Sequence, residues 1–270
     1  MKKTLVWILA VLVTLLASYY QRKSGPTYPL NIKSIPGDSS YTMKLRRSAT
    51  IGADDNVEIP VSELFDSVVL VYSKYPGSFV EDSVIMTKQS GFYCTNLPDQ
   101  PPAGKLRYYV VLLKNGKTFW SSENTPAIIR FKGKVPLGVL IPHVIAMLLA
   151  MLFSMSVLFM ILFKKGNYKR MTYLTMIFLF VGGFILGPLM QKFAFGEFWT
   201  GWPVGADFTD NKTLIVFVAW IIALLLNIRK DRKWILVIAS LGMLIIFTIP
   251  HSLGGSELNH ESGVVETGQK

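Results

Sequence analysis

The sequence predicts a multi-domain membrane protein: an N-terminal transmembrane helix, an all-β sandwich outside and a C-terminal four-helix transmembrane bundle. Three observations carry this. Five apolar stretches approach the roughly 20 residues that a helix needs to cross a hydrocarbon core of about 30 Å, and none has Lys, Arg, Asp or Glu inside its apolar run. Between the first and second stretches, the chain turns to short β-rich runs broken by turn residues. The composition agrees. Of 270 residues 51% are hydrophobic and 17% charged, below the quarter or so typical of soluble domains. This excludes a simple soluble domain and a disordered chain. The single cysteine, Cys94, excludes an internal disulfide framework and a Cys-based zinc ribbon within one chain.

Residues 1–20 read as a transmembrane anchor or an uncleaved signal. Lys2 and Lys3 before an apolar run also open a secretory signal, but Ala17-Ser18-Tyr19 puts a tyrosine where cleavage wants a small residue. Tyr19 and Tyr20 suit the aromatic belt of a retained helix. Residues 21–40, with Pro26, Pro29, Pro36 and Gly37, read as a linker.

Residues 41–133 carry the strand signals. The runs 68–72, 92–94, 106–113, 118–120 and 127–131 are β-rich, and Pro76-Gly77 and Leu97-Pro98 end two of them. Asn115-Gly116 is a strong hairpin turn signal. About seven short strands at this spacing predict a sandwich. Gly104-Lys105-Leu106-Arg107-Tyr108-Tyr109-Val110, with Asn115-Gly116 after it, resembles the late strands of a fibronectin type III or immunoglobulin-like sandwich. The resemblance covers under half of the chain. It implies a fold used for protein contacts or spacing and brings no catalytic residues. The buried Trp and disulfide pair of antibody domains are missing. Cys94 reads as a small core residue, with a free thiol or intermolecular disulfide as the alternative in an oxidising compartment.

Residues 136–251 predict four spans, at 137–163, 171–191, 213–228 and 234–250, with a loop over 192–212. The short connections 164–170 and 229–233 are basic, so the positive-inside rule makes them cytoplasmic. Five spans then alternate in a bacterial-type inner membrane. The N-terminus is inside; the β-domain, the 192–212 loop and a flexible tail over 252–270 are outside. These connections and the N-terminus hold ten of the 28 basic residues. The net charge of +11 is therefore largely topological and no nucleic-acid partner is expected. The short stretch from Lys132 to Pro136 holds the sandwich near the bilayer surface.

Candidate site residues fall on the outer side. His143 and His251 each end an Ile-Pro-His triplet, at 141–143 and 249–251. One imidazole from each of two helices can ligate haem b, or frame a quinol site with Asp207 as a proton acceptor. His143, Met147, Met151 and Met155 recur four apart on one helix face, a set that suits Cu(I). Against both stands a plain reading, with the histidines donating hydrogen bonds and the methionines packing. The outer loop carries Glu197 and the interface anchors Trp199 and Trp202. Asp210, before an apolar run, is expected to cap the next helix, whereas Asp207 has no such role. Gly182, Gly183 and Gly187 allow close helix approach, and Pro188 is expected to bend or end the third span. Asn227 and Ser240 are expected to make interhelical or interfacial hydrogen bonds. His260 lies in the polar tail.

No P-loop, nucleophile elbow, zincin or dinucleotide motif occurs. The expected function is a non-enzymatic accessory or interaction subunit that presents the sandwich to a periplasmic or membrane protein partner, with the lipid bilayer as its other contact. On this reading it takes no cofactor. The alternative is a redox or metal-handling membrane protein with a haem, quinol or copper site. An intramembrane hydrolase ranks last, for want of a nucleophile–base pair.

Overall fold

The computed structural model describes residues 2–54, 56–77, 80–251, 253–255, 257–260, 262–263 and 265–266. It contains both helices and β-sheets, in two compact units. One unit comprises the N-terminal helix and Val135–Gly255; the other comprises Thr27–Lys134 and part of the C-terminal segment.

The helical unit begins with α1 (Lys2–Lys23) and continues with α2 (Leu137–Leu162) and α3 (Tyr168–Phe180). Next come a π-helical turn (Val181–Leu186) and α4 (Gly187–Phe195), then α5 (Phe208–Ile228) and α6 (Lys233–Thr248). Lys3–Lys23, Leu137–Leu162, Tyr168–Phe195 and Phe208–Arg229 are long and apolar enough to cross a membrane; Lys233–Thr248 is apolar but shorter. One core joins the helices, built from Val6 and Ala10 of α1, Ala150 and Met155 of α2, Leu179 of α3, Trp220 of α5 and Met243 of α6.

Pro188 does not end the third apolar segment. A proline cannot donate to the carbonyl four residues back, and here the ladder shifts just before it. Gly187 N–H donates to Gly182 O, five residues back. The two central glycines have a steric reason. A Cβ on Gly182 would lie 2.7 Å from Met147 Sδ, and one on Gly183 would lie 2.7 Å from Thr213 Cγ2.

The β unit is built from alternation. Its strands are β1 (Leu30–Ile35), β2 (Asp38–Leu45), β3 (Ser48–Thr50), β4 (Val57–Pro60), β5 (Ser67–Tyr75), β6 (Asp82–Ile85), β7 (Thr87–Gln89), β8 (Phe92–Thr95), β9 (Lys105–Lys114), β10 (Lys117–Ser121) and β11 (Ala127–Lys132). Strand β9 is central, antiparallel to β5, β10 and β11, while β11 pairs in parallel with β3. Leu106, Tyr108, Val110 and Leu112 of β9 alternate inward onto Val68 and Leu70 of β5 and Ile129 and Phe131 of β11. Strands β4, β8 and β7 form a separate three-stranded sheet, whose Val57, Ile59 and Tyr93 enter the same core. The Asn115-Gly116 hairpin forms as expected, both residues with positive φ (53° and 72°), as a type I′ turn requires.

Three boundaries differ from the sequence reading. The expected linker over 21–40 contains a hairpin: β1 and β2 pair antiparallel, and Pro36-Gly37 is its turn rather than a break. The outer loop is shorter than 192–212, because α4 runs to Phe195 and α5 starts at Phe208. The tail is not a free polar segment in its described residues. Strands β12 (Glu257–Leu258) and β13 (Val265–Glu266) pair, Leu258 N–H donates to Ala103 O at 3.3 Å, and Lys105 Nζ meets Glu257 Oε1 at 2.6 Å. His260 Nε2 lies 3.2 Å from Tyr75 O and 3.3 Å from Lys105 O. One apolar residue, Leu258, supplies the anchor: it is buried, 3.4 Å from where a Cβ on Gly104 would stand.

Candidate functional site

One group of polar side chains in the helical unit gathers where α2 and α5 begin and α6 finishes. Their scaffold is the segment between α4 and α5. Asp210 organises it by accepting Thr200 N–H at 2.8 Å and Gly201 N–H at 3.1 Å. Asn211 Oδ1 accepts Trp202 N–H at 2.7 Å, and Gln191 lies against Thr200 Oγ1 and the Asp210 carboxylate. Gly201 has no room for a side chain, since its Cβ would stand 2.6 Å from Asp210 Cβ. Trp199 donates its indole N–H to Trp202 O at 3.1 Å and stacks on Phe184 of the π-helical turn, with centroids 5.7 Å apart. Trp202 remains exposed.

The capping role expected of Asp210 falls to Asp207. Asp207 is the N-cap of α5, accepting Thr209 N–H at 2.8 Å and Asp210 N–H at 3.4 Å, while Asp210 ties down the loop. The helix starts earlier than its apolar run, and that moves the cap back by three residues. Glu197 sits on the exposed side of the loop.

Sequence reasoning passed over Lys212, which it placed as the last residue of the loop. It lies inside α5, and only 2% of it is exposed. Its Nζ donates to Ile249 O at 2.7 Å, the carbonyl at the end of α6, and its charge interacts with that of Asp207. The missed signal was a lysine at the head of an apolar run, where a buried cation needs a partner.

His143 lies on α2, one wall of the same region. Its Nδ1 is 3.0 Å from Gly182 O, the carbonyl that also accepts Gly187 N–H in the π-helical turn. A carbonyl only accepts, so Nδ1 carries the proton and donates, and Nε2 is the nitrogen with the lone pair. His251 follows α6, two residues beyond the Ile249 carbonyl that Lys212 binds, and is exposed. The structure therefore brings His143, His251, Lys212 and Asp207 into one region.

The methionines of the proposed stripe diverge from this region. Met155 is fully buried and Met151 nearly so, both in the apolar core. Met147 packs on Gly182, beside the carbonyl that His143 uses. No group of three or more His, Cys, Asp or Glu with metal-site spacing occurs among the described residues. Cys94, in β8, is half-buried, and its thiol is pushed up by burial and then by Glu58.

No family model, no curated protein and no solved structure matches the chain.

Proposed function

We propose that the protein is a polytopic inner-membrane protein of bacterial type that acts as a redox subunit, holding a haem b or a quinone where His143, His251 and Lys212 converge. The observation that carries this is the hydrogen bond from His143 Nδ1 to Gly182 O. Imidazoles that ligate a metal or accept a ligand proton are commonly fixed through their other nitrogen by such a bond. A π-turn that supplies the carbonyl is a frequent feature of functional sites in helices. Charge chooses among the ligands. A bare copper ion between the two imidazoles would face the Lys212 ammonium. A haem propionate or a quinone oxygen would be attracted to it. The unit needs no nucleophile in this role.

The test is the absorption spectrum, metal content and quinone extract of detergent-purified protein, beside His143→Ala. The expected result is near-stoichiometric haem or quinone, reduced at least about tenfold in the variant, the loss reported for ligand and supporting contacts at metal sites. Neither cofactor in the wild type, or equal amounts in both proteins, contradicts the reading. Copper lost in the variant would move the site to His143, Met147, Met151 and Met155.

The topology follows the basic connections: the β unit and the 196–207 loop outside, Lys164, Lys165, Arg229 and Lys230 inside. Single-cysteine reporters test it in a Cys94→Ser background. Lys88→Cys should react with a membrane-impermeant maleimide in intact spheroplasts, and Lys230→Cys only after permeabilisation. The reverse pattern would invert the orientation.

A second reading, a non-enzymatic accessory subunit that binds a periplasmic partner, draws on one observation. Strand β6 is a sheet edge, and its Ile85 is 72% exposed, a surface of the kind that pairs with another chain. Ile85→Lys should then abolish co-purification of a partner while leaving cofactor content unchanged.

A further inference from the structure

Hydroxyls inside apolar helices ordinarily bond back to the carbonyl four residues earlier. Ser18, Ser156, Thr172, Thr175 and Thr213 all do so, at 2.8–3.0 Å. Thr14, Ser154 and Ser240 do not. Their oxygens are buried without a hydrogen-bond partner, and so is the indole nitrogen of Trp220. The residues are 4%, 0%, 0% and 0% exposed respectively. Each comes from a different helix: α1, α2, α6 and α5. Helix α1 packs on α2 and α6, α2 packs on α6, and α5 packs on α6. Residues one to four positions away on the same helices, Ala10, Met155, Ala239 and Ala223 among them, belong to one core with Trp220.

The four groups also lie at one depth. Lys212 Nζ reaches Ile249 O, which sets α5 against α6. A Cβ on Gly25 would lie 3.8 Å from Pro250 Cβ, which sets the end of α1 at the same level. Met147 of α2 packs on Gly182 and Thr213 of α5 packs on Gly183, which sets Met147 level with Thr213. At a rise of about 1.5 Å per residue, Trp220 and Ser154 then lie about 12 Å below that level, Ser240 about 14 Å and Thr14 about 16 Å. Burial, a missing partner and a shared depth recur on four helices. Each buried hydroxyl without a partner carries a desolvation penalty that alanine would remove.

We propose that Thr14, Ser154, Trp220 and Ser240 together bind water inside the helical unit. Three hydroxyls can donate and accept, and the indole N–H donates. This is a donor-rich set of the kind that holds a buried water through two to four bonds. The site is distinct from the His143 region: inward-facing Ala150 and Met151 lie between His143 and Ser154 on α2. It holds or fails independently of the cofactor reading.

The sign of a stability change tests it. In a dry core, Ser154→Ala, Ser240→Ala and Thr14→Val each remove an unpaired oxygen and should leave Tm unchanged or raise it. In a hydrated cluster each should lower Tm by about 2–4 °C, the shift expected for about 1 kcal/mol in a chain of this size. The Ser154→Ala/Ser240→Ala double variant should lose less than the sum, because both serines bind shared water. Ser240→Thr, which keeps the hydroxyl, should stay near wild type. The hydrogen-bond-sensitive indole Raman band, taken as wild type minus Trp220→Phe, reports on Trp220 without requiring the alanine variants to fold. A band at the hydrogen-bonded position supports the proposal. A band at the free N–H position, or a Tm raised by hydroxyl removal, overturns it.

Discussion

The two units handle buried polar groups in opposite ways. In the β unit, polar side chains close the fold. Tyr41, Tyr93 and Tyr108 each bury an aromatic ring and donate the hydroxyl to a backbone carbonyl, of Pro60 at 2.6 Å, Asp66 at 2.8 Å and Arg46 at 2.7 Å. Asp66 and Arg46 lie in segments that join strands and Pro60 is the last residue of β4, so each tyrosine pins a strand end or a connection to the core. In the helical unit, several hydroxyls bond back to their own helix, one set of polar groups surrounds Lys212, and four buried polar groups lie without a partner at similar depth. The backbone there is satisfied within the helices, so polar side chains complete it only at the helix ends and in the loop, as Asp207, Asp210 and Lys212 do. The difference teaches where to look for function: buried polar groups that the fold does not require.

The predictions sharpen this contrast. Gly201→Ala should have the largest effect, since its Cβ would stand 2.6 Å from Asp210 Cβ; overpacking of this kind costs about 1–3 kcal/mol. A thermal melt in detergent reads the loss, and an unchanged Tm would show that the loop does not hold this geometry. Tyr108→Phe should cost about 1–2 kcal/mol, because the Arg46 carbonyl loses its donor. An unchanged denaturation midpoint would remove the tyrosine pins from the account. Asp207→Ala should cost about 1 kcal/mol as a lost N-cap.

A pH titration separates the units further. Burial first, and then the hydrogen bond to Glu81, push the Tyr109 hydroxyl up to about 12, against about 10 for an unburied phenol. Stability from the neutral hydroxyl is present in full below pH 10 and is lost as pH rises toward 12. Tyr41, Tyr93 and Tyr108 shift in the same direction, burial being the first cause for each. The β unit should therefore lose stability on alkaline titration from about pH 10, and Tyr109→Phe should flatten part of that slope. A slope unaltered by Tyr109→Phe would contradict the assignment. The smallest effect belongs to the Lys105–Glu257 pair, which is partly exposed. Lys105→Ala should cost under about 1 kcal/mol and less at high salt.

Much of this architecture was legible in the sequence. The apolar runs became helices, the Asn115-Gly116 pair became a hairpin turn, and the alternation around 106–113 became the central strand. These signals are local and periodic, so one segment suffices to read them. Pro36-Gly37 misled because a proline–glycine pair marks a hairpin turn as readily as a linker. Asp207 rather than Asp210 caps the helix because Phe208 begins α5 five residues before the apolar run that marks its onset in the sequence. Lys212 was illegible for another reason. Its partner carbonyl at Ile249 lies 37 residues away, and no local pattern announces a tertiary hydrogen bond. The pairing of His143 with Gly182 was likewise hidden, because it depends on the π-turn that Pro188 accompanies.

The most direct test of the central claim is Lys212→Met, read for cofactor content and Tm on the same purified sample. Replacing a buried charge with an apolar side chain of similar length is commonly neutral or stabilising. If the polar end of the helical unit exists to bind a ligand, the variant should stay folded with Tm equal to or above that of wild type, and should lose its haem or quinone. A lowered Tm with the ligand retained would show that Lys212 serves the fold, and would contradict the account.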